Sequence, residues 1–240
     1  MPHYPAWLKE EVDILERSFP RLAVDGKSGP INKKTLMNLL SPKTWDAIKW
    51  KAGQLGLKRD FRLVYLPIII SDIDKAYIAG YLDGEGCITV LRHKRKSGNI
   101  NYYPYISISN KDLDSLKWIN EIIGLGKVRR LTPAKVSERS KKWRQRPWTW
   151  SDCYTYGINN LAACYRFLTD ISPFTKVKKE HADLLLEFME IKANKEPSRA
   201  IRDPETGYFV RRLPSKITQR EHEIHDRFRE LNSRGWRSYE

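Results

Sequence analysis

From Ser71 to about residue 194 the apolar residues switch between helical spacing and strand alternation, in the order helix, strand, strand, helix, strand, strand, helix. A helix over 72–83 leads into CITVLRHKRK, a turn at SGNIN, and YYPYISIS. A helix from Lys111 to Ile123 precedes GLGKVRRL, a long basic insert to about 147, and WTWSDCYTYGI. Helical segments at 160–170 and 176–194 close the run. Such an αββαββα order predicts an α+β fold, with helices on one face of a four-stranded antiparallel sheet and the other face open.

Alternation then assigns the faces. The first strand buries Ile88 and Val90 and exposes Thr89, Leu91, His93 and Arg95; the second buries Ile106 and Ile108 and exposes Tyr103, Tyr105 and Ser107. Lys127 and Arg129 of the third strand join the open face, and by the same alternation so do Trp150, Asp152, Tyr154 and Tyr156 of the fourth. A solvated face seldom gathers so many aromatics. Cations, hydroxyls and aromatics on one β-surface suit reading base edges in a groove, while Lys141, Lys142, Arg144 and Arg146 of the insert hold the backbone.

Charge points the same way. The chain carries 44 Lys+Arg against 29 Asp+Glu, a formal +15, which favours a polyanion such as double-stranded DNA. No apolar run reaches the roughly 20 residues of a spanning helix, so no membrane partner is expected. The start, MPHYPAWLKEEVD, turns acidic where a secretion signal is apolar, predicting a protein that is cytoplasmic or organellar and not secreted. Cys87, Cys153 and Cys164 form no CxxC pair and read as reduced thiols. HEIH at 222–225 lacks the spacing of HExxH and reads as an exposed helix face.

One stretch resists this pattern. In DKAYIAGYLDGEGCITV, 74–90, Asp83 and Glu85 stand at the end of a helix, where the dipole disfavours a carboxylate by about 0.3–1 kcal/mol. A hard divalent cation would reverse that cost, and Gly84 and Gly86 would let backbone carbonyls approach it. Ala79 and Gly80 are small residues in mid-helix, where Gly costs about 1 kcal/mol unless another helix comes close. The chain has no second copy of the segment, so the expected neighbour is the same helix of another protomer. Ala79, Gly80 and Asp83 then form a homodimer interface, with two Glu85 side chains beside the two-fold axis.

Here a family resemblance enters. IAGYLDGEG, Ile78 to Gly86, resembles the nine-residue motif of the LAGLIDADG homing endonucleases, of the single-motif, homodimeric type. ISNKDLDSLKWINEIIGLGKV, ending at Val128, and FLTDISPFTKVKKEHADLLLEFMEIK, 167–192, resemble the family's post-strand helix and its P-F-x-x-K-x-K stretch. The resemblance implies a saddle-like sheet and a nuclease, encoded in an intron or intein, that hydrolyses DNA phosphodiesters site-specifically with Mg2+ (or Mn2+). By motif position, Glu85 is the metal-binding acid, aided by the Gly84 carbonyl, and Asp83 is structural at the helix crossing. Lys178 is the lysine near the scissile phosphate, and Asn110 orders the attacking water. Glu85 stands where the motif's name has Asp; the extra methylene moves the carboxylate by about an ångström, which ligand adjustment absorbs. The alternative is a non-cleaving DNA-binding regulator, or an RNA-splicing maturase of the same fold with RNA as partner.

Upstream, AWLKEEVDILERSF, a short helix around Thr35 to Leu40, and SPKTWDAIKWKAGQLGLKR resemble a Myb/SANT-like helix-turn-helix module over roughly residues 6–59. That resemblance implies DNA binding, through Lys43, Lys49 and Lys51 at the last helix, with binding of protein tails or a structural cap on the next domain as the alternatives. The expected domains are 1–59 for this all-α three-helix module, 60–70 for a linker, 71–195 for the endonuclease domain, and 196–240 for a basic loop and a docked C-terminal helix. TQRE at 218–221 has capping-box form, and Ile224, Phe228 and Leu231 mark the docked stripe. Arg211, Arg212, Lys216, Arg220, Arg234 and Arg237 are candidates for phosphate contact, against a default of exposed charge.

Overall fold

A computed structural model describes residues 6–23, 29–95, 98–131, 153–194, 200–202, 209–212 and 217–233. The chain forms two compact units, residues 1–67 with 190–195, and residues 68–189 with 196–240. The insert residues Lys141, Lys142, Arg144 and Arg146, with Trp150, Asp152, Lys216, Arg234 and Arg237, lie outside the described residues.

The first unit contains helices α1 (Lys9–Ser18), α2 (Lys33–Leu39) and α3 (Trp45–Gln54). Side-chain caps start the last two: Asn32 accepts from the Thr35 N–H at 3.0 Å, and Thr44 from the Ala47 N–H at 3.3 Å. Leu15, Leu22, Leu36, Leu40, Ile48 and Ala52 form the core. Lys43 departs from its expected role. It lies at the turn into α3, is 7% exposed, and donates to the Ala6 carbonyl at 2.7 Å. It also pairs with Glu11 at 3.2 Å and sits 5.3 Å from the Trp7 ring centre. A lysine sequestered in this way pins the N-terminal arm and is not offered to phosphate. Lys49 is exposed and bound to Asp46 at 2.7 Å, and Lys51 is half-buried.

In the second unit, α4 (Asp72–Glu85) runs directly into β1 (Gly86–Lys94), which turns back into β2 (Ile100–Asn110). Then follow α5 (Leu113–Ile123), β3 (Lys127–Leu131), β4 (Cys153–Ile158), α6 (Leu161–Ile171) and α7 (Lys179–Asn194). The antiparallel sheet has the order β1-β2-β4-β3. Ile88 lies opposite Ile106, Ile106 opposite Ile158, and Ile108 opposite Tyr156, so one face is continuous with a core that includes Ile78, Leu82, Leu116, Ile119, Phe167 and Leu168. Burying each such side chain stabilises the fold by about 1.5–3 kcal/mol. Gly126 permits β3 to enter: its φ is +84°, and a Cβ there would lie 2.9 Å from the Gly157 carbonyl oxygen.

Two expectations change. Helix α4 continues through Asp83 and Gly84 to Glu85 and stops at Gly86, where a Cβ would strike Leu82. The alternation in β4 is also shifted by one. Tyr156 is fully buried, its hydroxyl donating to the Leu125 carbonyl at 2.8 Å, and Tyr154 shares that helix-side face. The open face of β4 instead carries Cys153, Thr155 and Gly157. Because Tyr fits either a wet or a dry face when its hydroxyl finds a partner, composition could not set the parity.

At the C-terminal end, β5 (Ala200–Arg202) pairs with β6 (Phe209–Arg212) where a loop was expected. Helix α8 (Gln219–Ser233) begins with the predicted capping box, Thr218 N–H to Glu221 at 2.8 Å and Glu221 N–H to Thr218 Oγ1 at 3.2 Å. Ile224, Phe228 and Leu231 are buried. Arg220 is committed to Glu187 by two bonds of 2.6 and 3.0 Å, and Arg227 to Glu180. His222 is not on a free face: its Nδ1 lies 2.7 Å from the Tyr102 hydroxyl.

Candidate active site

The open sheet face is assembled by register. Thr89 lies opposite Tyr105, Leu91 opposite Tyr103, and His93 opposite Asn101; Ser107 faces Cys87 on one side and Gly157 on the other. Lys127 and Arg129 continue the rows through Gly157 and Thr155. Leu91 and Tyr103 are 46% and 41% exposed, and the His93 ring meets Tyr103 edge-on at 6.4 Å. Arg95 is exposed just beyond β1, its N–H bonded to the Asn99 carbonyl in the turn. Tyr105 lies across Gly157, its hydroxyl 3.5 Å from where a Cβ would sit. Ser107, expected to be exposed, is buried, because it occupies the middle of the sheet between filled rows. Tyr154 faces the helices, so it leaves the open-face set.

At one end of this face α4 meets β1, and there the two acids take different environments. Asp83 turns towards the entry of α7. Its carboxylate accepts three backbone N–H bonds, from Lys176 at 2.8 Å, Val177 at 3.2 Å and Lys178 at 2.9 Å. In return, the Lys178 ammonium donates to the Asp83 carbonyl at 2.5 Å. Burial opposes ionisation of Asp83, but these N–H groups and the Lys178 charge outweigh it and hold the carboxyl below its ordinary range. The cost of an acid at a helix C-terminus is thus met by peptide N–H groups of the turn just before another helix.

Glu85 has no such arrangement. It is the last residue of α4, exposed, and its carboxylate has no hydrogen-bond or ion-pair partner among the described residues. Its neighbour Cys87 opens the sheet face: burial pushes that thiol up, while the nearby Lys178 charge pulls against it. Lys178 therefore stands between Asp83 and the first residues of β1. Asn110 ends β2, two residues beyond Ile108, the partner of Gly86, and so lies at the same end of the sheet. Its side chain accepts from the Asp112 N–H at 2.9 Å, forming the turn that precedes α5. Among the described residues, no three His, Cys, Asp or Glu side chains converge as a metal-holding group.

The expected interface residues separate. Ala79 is fully buried in its own domain and is not available to a second chain. Gly80 is exposed, and both it and Gly84 face open space. Ile73 and Tyr77 lie on the same stripe, 82% and 52% exposed. Tyr77 also packs against Tyr81 and, edge-on at 5.5 Å, against Trp118 of α5. Two features escaped the sequence reading. The peptide N–H groups of residues 176–178 carry no side-chain signature, and the Gly157 platform was hidden by the shifted parity of β4.

The fold and site define an α+β domain with an open antiparallel sheet, at one end of which stand the Asp83–Lys178 pairing and, two residues further along the chain, an acid with no partner among the described residues. Residues 78–143 match the model of the LAGLIDADG endonuclease family. Among solved structures, the chain is similar to an archaeal intron-encoded homing endonuclease complexed with DNA, at 19% identity and a TM-score of 0.47, covering 70% of this chain and 90% of that one. It is also similar to the homing endonuclease I-CvuI in complex with target DNA in the presence of Mg, at 17% identity and a TM-score of 0.41, covering 51% and 69%. A third, the homing endonuclease I-TnaI, has 15% identity and a TM-score of 0.36, covering 68% and 99%. No curated protein matches the sequence. No helix among the described residues is long and apolar enough to cross a membrane.

Proposed function

We propose that the chain is a homing-type endonuclease that cuts double-stranded DNA site-specifically with Mg2+ or Mn2+, acts as a homodimer, and is encoded in an intron or intein. The observation that carries the reading is Glu85: an exposed carboxylate with no partner among the described residues, at the end of an open cationic sheet face, in a segment that matches the LAGLIDADG endonuclease family model. Its hard oxygens suit a divalent ion, and the last carbonyls of α4, including that of Gly84, are further oxygen donors of the right kind. When bound, such an ion supplies Lewis-acid activation of water and charge stabilisation at the phosphate.

The chain's own residues supply the rest. Lys178 places a compact positive charge where negative charge develops on the phosphate oxygens. Asn110, fixed by its turn bond, presents its amide nitrogen at the same sheet end for water ordering. Thr89, Leu91, His93, Tyr103 and Tyr105 offer base-edge contacts, while Lys127, Arg129 and Arg95 take phosphates. The exposed stripe Ile73, Tyr77, Gly80 and Gly84 supports pairing of α4 with its copy, since one chain provides only one Glu85. In the helical unit, Lys49 and Lys51 are the candidates left for DNA contact.

The test is purified protein with magnesium on DNA carrying the uninterrupted insertion site of its gene. Discrete double-strand cuts are expected; binding without cuts would favour the regulator or maturase reading.

A further inference from the structure

Asp83 was expected only to brace the helix crossing. We infer that it is a positioning residue that holds Lys178 at the reactive end of the sheet, through a reciprocal clasp between the end of α4 and the start of α7. The inference rests on the endonuclease reading for its consequence, but the clasp stands on geometry alone. The Asp83 carboxylate binds the N–H groups of Lys176, Val177 and Lys178, all three residues immediately before α7. These donors belong to the turn that leads into α7, and a single carboxylate from another element satisfies all three. The Lys178 ammonium closes the ring on the Asp83 carbonyl, one of the last carbonyls of α4 that the helix leaves unpaired.

The arrangement fixes both ends of a flexible side chain. Lysine carries about 2 kcal/mol of rotamer entropy, so an unheld ammonium spends little time in one place. Here its backbone is tied by one Asp83 oxygen and its Nζ by the Asp83 carbonyl. Lys176 and Val177 are held by backbone only: Val177 is 74% exposed. Of the three residues gripped, Lys178 alone is returned towards α4, bonded to Asp83 two residues before Glu85 and near Cys87 two residues after it. Removing the Asp83 side chain would release the backbone of residues 176–178, and with it the placement that brings Nζ to the Asp83 carbonyl, so the lysine charge would wander; in catalysis misplacement by an ångström can cost about a hundredfold.

Two measurements decide it. In amine acylation followed by mass spectrometry, Lys178 of the wild type should react several-fold more slowly than Lys176. Asp83→Ala should abolish that protection without changing other lysines, and Asp83→Asn, which keeps a capping oxygen, should restore most of it. Unchanged Lys178 protection in Asp83→Ala would overturn the inference; a general rise at every lysine marks unfolding, and the Asn variant then decides. In single-turnover cleavage of the insertion-site DNA, Asp83→Ala should slow cutting about as much as Lys178→Ala, with affinity changed less than about twofold. Adding Asp83→Ala to Lys178→Ala should cost nothing further; a full additional loss would mean that Asp83 does not act through the lysine. If the wild type cuts no DNA, the endonuclease reading falls, while the acylation result still decides whether Asp83 holds Lys178.

Discussion

The cations expected to meet DNA are placed differently in the two compact units. In the helical unit Lys43 is buried against Ala6, Trp7 and Glu11, Lys49 is bound to Asp46, and Lys51 is half-buried. On the sheet face Lys127 and Arg129 stand exposed in register with Gly157 and Thr155. A formal charge of +15 therefore says that a polyanion is favoured, but not which residues meet it. A lysine beside an acid three residues away, or opposite a carbonyl in a tight turn, is most economically explained as structure.

The contrast can be broken, beginning with the largest effect. Glu85→Gln should reduce cleavage by roughly a thousandfold or more, since several kcal/mol of metal-assisted stabilisation depend on it, with DNA affinity retained in gel shift without metal. Comparable cutting by that variant would move the catalytic centre elsewhere. The double change Lys127→Ala and Arg129→Ala should weaken DNA binding about tenfold or more and flatten its salt dependence by about two phosphate contacts. Lys43→Ala should lower stability in urea by about 1–3 kcal/mol, the range for a hydrogen bond to a charged group, with no change in salt slope. A changed slope at constant stability would return Lys43 to the DNA-facing set. Lys49→Ala is expected to change stability by less than about 1 kcal/mol, because an exposed i,i+3 pair contributes little, and to reduce the salt slope of DNA binding by about one phosphate contact at most.

Much of the second unit was legible beforehand. Period changes are strong where strands carry alternating Ile, Val and Tyr, so β1 and β2 and the faces of Ile88, Val90, Ile106 and Ile108 followed directly. The fourth strand failed for a stated reason: tyrosine is amphipathic, so Tyr154 and Tyr156 mark no face. Helix ends were blurred too, since α4 reads through a glycine that costs only about 1 kcal/mol. Within the site, the sequence singled out Asp83 and Glu85 as two acids out of place at a helix end, with metal expected at Glu85 and a bracing role at Asp83, and the structure gives the two different surroundings. Asp83 is neutralised by peptide N–H groups ninety-odd residues away. Backbone donors have no residue code, so that partner could not be read; Glu85 keeps its original puzzle.

Tyr105 draped over Gly157 has an engineering consequence. An alanine at 157 would still seat the ring, since 3.5 Å is ordinary contact, but valine or leucine would have to lever it upward. Position 157 is thus an adjustable floor under an aromatic finger. On the proposed DNA-cutting reading, a graded series of residues there should shift which base steps are tolerated while Thr89, Leu91, His93, Tyr103 and Tyr105 keep their identity, a result that target-site profiling would reveal.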